Sequence, residues 1–521
     1  MDRFAEELGF PFDNPKRIDA GIRCTMVQIE SSGHSCMPIE ELMVQLSNLL
    51  GDEYIDVIVE RLETLIETKR YMQVDYEDVL YIYHPNVYRA EVDSVAFTKA
   101  FLEDDVMPLL NGDDFCKSYE IKHSITLGAE QKKAIAMALS HRFSIITGGP
   151  GTGKTTIIKA LVEGFQQGQL KRIVLCAPTG RATKRLSEAT DMEAFTIHRL
   201  LEPELENNVY TFARNEDEPL EVDVVIVDES SMLNLELYYA LIQAIPPTAY
   251  IVLVGDVDQL PPIGAGFILR DMLISSMVPY QGLTQIYRQQ EGNRIIDNAY
   301  AINHGEMPNV SNCDEFQFDS VHDVEGLLSG ITKHYLEELQ HVGSVLDIQI
   351  VCPMRKGSAG SAAISKYLQE ELNPKRRGEA ELKVDGTIFR VGDKVIQMEN
   401  NYDQDVYNGE IGVITDIVGK QARVQFPDKA LTLDEEDLFS VALAYAITVH
   451  KAQGSEYSRI ILPFLSTYHV MLQRNLLYTA ITRAKDKVII VGSETAIQTA
   501  VDHVDTNYRY TLFKERLEGA I

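Results

Sequence analysis

Apolar runs and amphipathic stretches alternate along most of this chain, and their order predicts its architecture. Between about residues 143 and 300, four short apolar runs stand out: Phe143–Thr147, Ile173–Ala177, Val222–Asp228 and Tyr250–Val254. Helix-spaced stretches separate them, one of them near 181–201. Apolar runs this continuous fit parallel strands covered on both faces. A second set begins at Asp347–Cys352 and resumes at Val441–His450, Arg459–Leu462 and Lys487–Val491. The fold class is therefore α/β, with two doubly wound parallel-sheet domains.

Two insertions interrupt this rhythm. Asn208–Arg214, a polar turn and Leu220–Val222 predict a β-hairpin within about 203–221. Residues of about 375–440 are strand-rich, with Phe389–Gln397 and the turn signal Asn408-Gly409, and predict a small β-barrel. Before the first α/β pattern, helical periodicity near 16–31, 38–49 and 52–68 precedes strand-like Tyr71–Asp75 and Val79–Tyr83. That order predicts a winged-helix-like module, and its acidity favours protein docking over duplex reading. The division expected is 1–120, 121–310 and 311–521.

Composition narrows the class. The chain has 521 residues, 45% of them hydrophobic, enough for several cores. No apolar stretch approaches a membrane span and the N-terminus is too charged for a secretory signal, so a cytoplasmic protein is expected. Its six cysteines are scattered and predict free thiols, with neither zinc nor disulfides. A net charge of −30 argues against coating nucleic acid indiscriminately and leaves room for a narrow basic track. Candidates are Arg181, Lys184 and Arg185 on one helix face, then Arg355–Lys356 and Lys375–Arg377.

The most specific chemistry lies at Gly148–Thr155, which reads Gly-Gly-Pro-Gly-Thr-Gly-Lys-Thr between an apolar run and a helix-like run. Glycines let backbone N–H groups curl around a phosphate at a helix N-terminus. Lys154 then reaches the β and γ phosphates, and Thr155 offers its hydroxyl to Mg²⁺. The run ending in Asp228-Glu229 supplies the acidic partner: Asp228 for the metal, Glu229 as general base toward water. Gln259, in the turn-rich Gly255–Gly266, is placed to sense the γ phosphate. Arg288 and Arg483, from the two α/β domains, can neutralise phosphoryl charge only when the cleft between them is closed. Hydrolysis would then open the cleft, which is a motor cycle.

The ordered segments Leu127–Gln131, Gly148–Thr155, Ala177–Ala182, Thr196–Arg199, Asp228-Glu229, Gly255–Gly266, Tyr287-Arg288, Cys352–Gly357, Thr448–Glu456 and Tyr478–Arg483 resemble those of superfamily 1B DNA helicases of the RecD-like group. The resemblance implies two RecA-like P-loop NTPase domains, a strand-separating pin at the hairpin near 206–221 and an SH3-like insertion near 375–440. It implies ATP and Mg²⁺ as cofactors, with Gln131 at the adenine edge. Gly148, Gly151, Thr152, Gly153, Lys154, Thr155 and Thr156 would sit around the phosphates, and Gly454 and Glu456 along the nucleotide. Arg288 and Arg483 resemble arginine fingers. Thr179, Arg181, His198, Thr448 and His450 resemble residues facing single-stranded DNA, along which this group moves 5′ to 3′. The implied role is a translocase and helicase in DNA repair or recombination, acting on single strands and their junctions with duplex. Compared with the longest members, the helix-hairpin-helix repeats are expected to be missing or abbreviated here, and no nuclease constellation is visible. An ATPase switch within a larger repair or defence assembly, docked through the acidic N-terminal domain, and an RNA-directed motor are the alternatives.

Overall fold

The computed structural model describes residues 11–103, 107–206, 209–287, 293–401, 404, 406–504 and 508–521. Its first α/β unit is a six-stranded sheet in the order Tyr280–Leu283, Phe143–Gly148, Tyr250–Gly255, Val224–Val227, Ile173–Ala177 and Ala194–Thr196, parallel throughout. Val224–Val227 shows why an unbroken apolar run folds here. Val225 and Val227 enter the core on one face, and Val224 and Ile226 enter the core on the other. A strand with water on one side would bury only alternate residues. Each such side chain contributes about 1.5–3 kcal/mol by leaving water.

The second unit is parallel in the order Phe316–Ser320, Ala484–Gly492, Tyr457–Phe464, Ile348–Cys352 and Ala446–Thr448. The strand expected at Val441–His450 is in fact three elements. Val441–Leu443 pairs antiparallel with Lys394–Gln397 of the inserted barrel, Ala446–Thr448 joins the parallel sheet, and Val449–Ala452 is already helical. Both halves are largely covered, so hydrophobicity alone cannot show the change of partner. Gln349 Nε2 marks it by donating to the carbonyls of Ala444 (3.0 Å) and Tyr445 (3.3 Å).

The helix expected near 181–201 likewise divides. Gly180–Thr190 ends at Asp191 in a left-handed conformation (φ 54°), the edge strand Ala194–Thr196 follows, and Ile197–Leu200 forms one turn. Short edge strands such as this one carry little pattern to read. Five antiparallel strands, with a separate hairpin Glu381–Val384 and Thr387–Arg390, build the barrel around Phe389, Ile414 and Val424. The first unit carries a hairpin within the expected 203–221, but its strands are Pro203–Glu206 and Val209–Phe212; Leu220–Val222, expected as the second strand, is not a strand, and Leu220 and Val222 instead enter the core of the first unit.

At the N-terminus, helices Pro15–Ser31, Ile39–Leu50 and Ile55–Glu67 pack on an antiparallel sheet of Cys36–Pro38, Val79–Tyr83 and Met72–Tyr76. The helices Pro85–Leu102 and Gly112–His123 bury Val95 and Phe101, and Phe115 and Tyr119, in the two cores of the first parallel sheet. After the second unit the chain returns to this end of the molecule. The carbonyl of Tyr510 accepts from the N–H groups of Ser35 (2.8 Å) and Cys36 (3.2 Å). Leu512 packs with Cys36 and Tyr83, and Phe513 and Leu517 enter the first unit's core. Arg516 meets the fully buried Glu91 at 3.1 Å. Among the described residues no helix is long and apolar enough to cross a membrane.

Candidate nucleotide cleft and strand-facing surface

The loop between Phe143–Gly148 and helix Lys154–Gln167 is wound through Gly151 and Gly153 at φ 76° and 84°, where a side chain would be strained. At Gly153 a Cβ would also fall 2.2 Å from Gln131 Nε2. Gln131, 3% exposed, splints the loop by donating to the Thr152 carbonyl (3.0 Å) and accepting from Gly128 N–H (2.9 Å). Lys154 Nζ folds over the loop and donates to the carbonyls of Gly148 (2.6 Å) and Gly149 (2.9 Å).

This loop forms one wall of a cavity of about 680 Å³. Gln131, Gly151, Thr152, Gly153, Lys154, Thr155, Thr156, Asp228, Glu229 and Gln259 line it from the first unit, and Glu456, Thr482 and Arg483 from the second. Gly148 and Gly454 stand outside that wall. Gly454 (φ 68°) instead permits a close approach of the two units, since a Cβ there would lie 2.7 Å from Thr179 Oγ1. Arg288 lies outside the described residues.

Asp228 follows the buried strand directly, and burial first, then Glu229 beside it, push its carboxyl up to about 6. Glu229 takes a left-handed backbone (φ 53°), a conformation a non-glycine residue holds only under constraint. Arg185 spans the cleft, 2.8 Å from Glu456 Oε1 and 4.0 Å from Glu229 Oε1. Arg483 is 4% exposed and donates to the Thr479 carbonyl (3.2 Å) and Thr482 Oγ1 (3.2 Å). Among the described residues no carboxylate pairs with it. A buried guanidinium facing a cavity without a counter-ion is built for an anion.

Two groups that the sequence reading passed over bridge the two units beside Gln259 of the cleft. Asp256, 1% exposed and raised by burial, accepts from Tyr478 OH (2.9 Å) of the second unit and from Gln259 Nε2 (3.2 Å). Leu260 N–H donates to Thr479 Oγ1 at 2.9 Å close by. Asp256 directly follows the strand Tyr250–Gly255, the placement that singled out Asp228, so the same rule would have found it. Tyr478 carries no comparable signal.

The expected basic track is corrected by its partners. Arg181 donates to Ser455 Oγ (2.9 Å) and Tyr457 OH (2.6 Å), Lys184 pairs with Asp428 of the barrel, and Arg185 belongs to the cleft. These three cations join the units to one another, and Arg181 is not an open nucleic-acid contact. The remaining surface residues form a repeated unit. Ala194–Thr196 and Ala446–Thr448 are outer strands of their sheets, and each ends in a threonine that caps a four-residue helix. Thr196 accepts from Arg199 N–H (3.1 Å) and Thr448 from Lys451 N–H (3.4 Å). His198 and His450 follow two residues later, both lowered by burial and so neutral at pH 7. Thr179 caps the helix Gly180–Thr190 through Ala182 N–H (3.3 Å). Arg355, Lys366 and Lys451 share a groove of about 370 Å³ with Thr448, between the second sheet and the barrel.

Three segments match known families: an AAA domain at 131–265, an ATP-dependent RecD-like DNA helicase SH3 domain at 364–426 and a UvrD-like helicase C-terminal domain at 443–491. The chain is 33% identical to the ATP-dependent RecD2 DNA helicase of Deinococcus radiodurans over 538 aligned residues, covering 99% of this chain and 71% of that one. The chain belongs to the RecD-like DNA helicases. This RecD-like helicase is also 29% identical to the RecBCD enzyme subunit RecD of Mycolicibacterium smegmatis, with 84% of each chain covered. Among solved structures, the Bacteroides Pif1 helicase in complex with ADP-AlF3 and ssDNA covers 70% of this chain and 92% of its own, at 20% identity and a TM-score of 0.45. As a RecD-like helicase the protein is an ATP-hydrolysing enzyme of the α/β P-loop class.

Proposed function

We propose that this enzyme is a 5′-to-3′ single-stranded DNA translocase that separates duplexes at the Pro203–Phe212 hairpin, in the repair or recombination of cytoplasmic DNA. The observation that carries the proposal is the cleft itself: Lys154 on one wall, on the other a buried Arg483 that pairs with no carboxylate among the described residues, and a cavity between the two units. In this reading the two parallel-sheet units hinge about that cavity; the helices Pro85–Leu102 and Gly112–His123 and the residues Phe513 and Leu517 enter the core of the first unit and move with it, so the moving parts depart from the expected division 1–120, 121–310 and 311–521.

Lys154 and the loop amides of Gly151–Thr156 hold the phosphates, and Arg483 with Arg288 neutralises charge on the transferred phosphoryl group. The hard oxygen donors Thr155 and Asp228, both on the cavity wall, fit a magnesium ion, which when bound would offset phosphate charge. Glu229 takes a proton from the attacking water. Gln259, whose buried Oε1 has no donor among the described residues, reports the phosphate to Asp256 and thereby to Tyr478. The paired units at Thr196–His198 and Thr448–His450, with Thr179 and Lys451, grip the strand alternately. Neutral imidazoles suit stacking and hydrogen bonding to bases more than phosphate pairing.

The test is steady-state ATPase with and without single-stranded DNA, beside unwinding of forks bearing only a 5′ or only a 3′ tail. Stimulation together with 5′-tail unwinding is expected. Unwinding from the 3′ tail alone would reverse the polarity, and an ATPase indifferent to DNA would remove the motor reading.

A further inference from the structure

The N-terminal module holds a further concavity, of about 430 Å³, far in sequence from the cleft. Lys16 and Arg23 project into it from one face of Pro15–Ser31, seven residues and so two helical turns apart, and Arg70 projects from the loop after Ile55–Glu67. Tyr71 and His84 form part of the lining and meet edge to face, with ring centroids 6.3 Å apart.

Three cations thus converge on one concavity in a chain that carries 78 acidic against 48 basic residues. Among the described residues Lys16, Arg23 and Arg70 have no ion-pair partner, and all three are exposed. The carboxylate in the same concavity, Asp19, is already committed to Arg61, at 2.5 and 2.8 Å. Glu30, the other nearby acid, is raised by burial and faces His84. Positive charge is thus collected at one end of a module that is otherwise acidic, against the field of the whole chain.

The module and the base of the hairpin share a neighbour in the first unit. Gly33 accepts from Gly266 N–H (3.0 Å) in the first unit. Glu236, at the start of helix Leu235–Ala244, acts electrostatically on both Glu30 and His198. The His198 ring lies 6.0 Å from Phe212, at the base of the hairpin. Duplex DNA opened at the hairpin therefore has an arm within reach of the module.

We infer that the Lys16, Arg23 and Arg70 concavity holds the phosphate backbone of the duplex arm at the fork. This rests on the hairpin-splitting reading above and adds an anchor to it. The three cations neutralise up to three phosphates and release their counterions, a salt-sensitive contribution that a bare single strand does not engage. The acidic composition of the module pointed to protein docking, and the segregation of its charges assigns this end to DNA.

The test compares the wild-type enzyme with the triple variant Lys16→Gln, Arg23→Gln, Arg70→Gln. Fluorescence anisotropy gives Kd for a fork and for a single strand matching its tail, at 50–200 mM salt. Fork affinity is expected to fall about tenfold, with the salt slope reduced by roughly two to three, while single-strand affinity and single-strand-stimulated ATPase stay unchanged. The single variant Arg23→Gln, at an exposed helix position, should show about one third of the slope change. Unchanged fork binding would overturn the inference and leave an acidic peptide as the better occupant. An equal loss on the single strand would overturn it too. If instead wild-type ATPase ignores single-stranded DNA, the motor reading fails, whereas the fork comparison can still be read.

Discussion

Glu229 and Tyr478 set clear expectations because each has one defined contact to lose. Glu229→Gln keeps the shape of the cleft but removes the proton acceptor, so ATP should still bind while turnover falls by about a hundredfold or more. Single-turnover hydrolysis beside nucleotide-binding fluorescence checks this, and normal turnover would take the base role from Glu229. Tyr478→Phe leaves the buried Asp256 with one donor fewer, at a cost of about 1–3 kcal/mol. It should lower the melting temperature by a few degrees and blunt the stimulation of ATPase by single-stranded DNA; a variant with full stimulation would show that the bridge does not couple the units. Residues delivered to the cavity by a single strand-to-loop turn were legible in the sequence as neighbours. Lys154, Thr155, Asp228, Glu229 and Gln259 do line one cavity, because strand–loop–helix grammar fixes where a strand delivers its last residues. The Tyr478–Asp256 bridge joins positions 222 apart, and no local pattern encodes it. Arg181, Lys184 and Arg185 share a helix that begins at Gly180 as periodicity indicated, yet periodicity says nothing about the hydroxyls and carboxylates that receive them from the second unit.

The hairpin and the returning C-terminal segment are the elements most open to test. Replacing residues 204–211 by a short Gly-Ser turn should abolish fork unwinding and leave single-strand-stimulated ATPase intact, as read by strand displacement and phosphate release on one preparation. Loss of both activities would mean that the hairpin supports the fold rather than the fork. The C-terminal segment is anchored partly by Thr511, which donates to Asp271 at 2.8 Å, and burial pushes the Asp271 carboxyl up to about 7 from its ordinary 3.8. A folded value above the unfolded one stabilises fully below about pH 3.8 and is lost as pH rises through about 7. The melting temperature should therefore carry a downward slope over pH 4–7 that Asp271→Asn flattens, and parallel profiles for the two proteins would contradict the assignment. Elements with a strong period were legible: the helix expected near 16–31 is Pro15–Ser31, and Phe143–Thr147 lies within Phe143–Gly148. Val441–His450 was not, because an apolar run looks the same whether it stays in one sheet or leaves it for another.

At the scale of the whole molecule, the α/β class and the presence of two parallel sheets were readable from the order of apolar runs alone. The path of the chain after the second sheet was not, since residues 508–517 are short, mixed in character and packed against partners more than 400 positions earlier. Removing residues 508–521 should uncover Cys36 while Cys176 and Cys352, each inside an α/β core, stay protected. Peptide mapping after thiol labelling should find Cys36 modified at least about tenfold faster, and equal rates would mean that the segment is not what covers it. The same return path sets an order of assembly. The Cys36–Tyr83–Leu512 cluster draws its last member from a part of the chain made more than 400 residues after the rest, on the order of tens of seconds later at ordinary translation speeds. Until Arg516 arrives, Glu91 stands in that module as a carboxylate without its counter-ion. A module that leaves the ribosome ahead of both parallel-sheet units is thus finished only after them, and during that interval its half-built cluster is a surface a chaperone can cover.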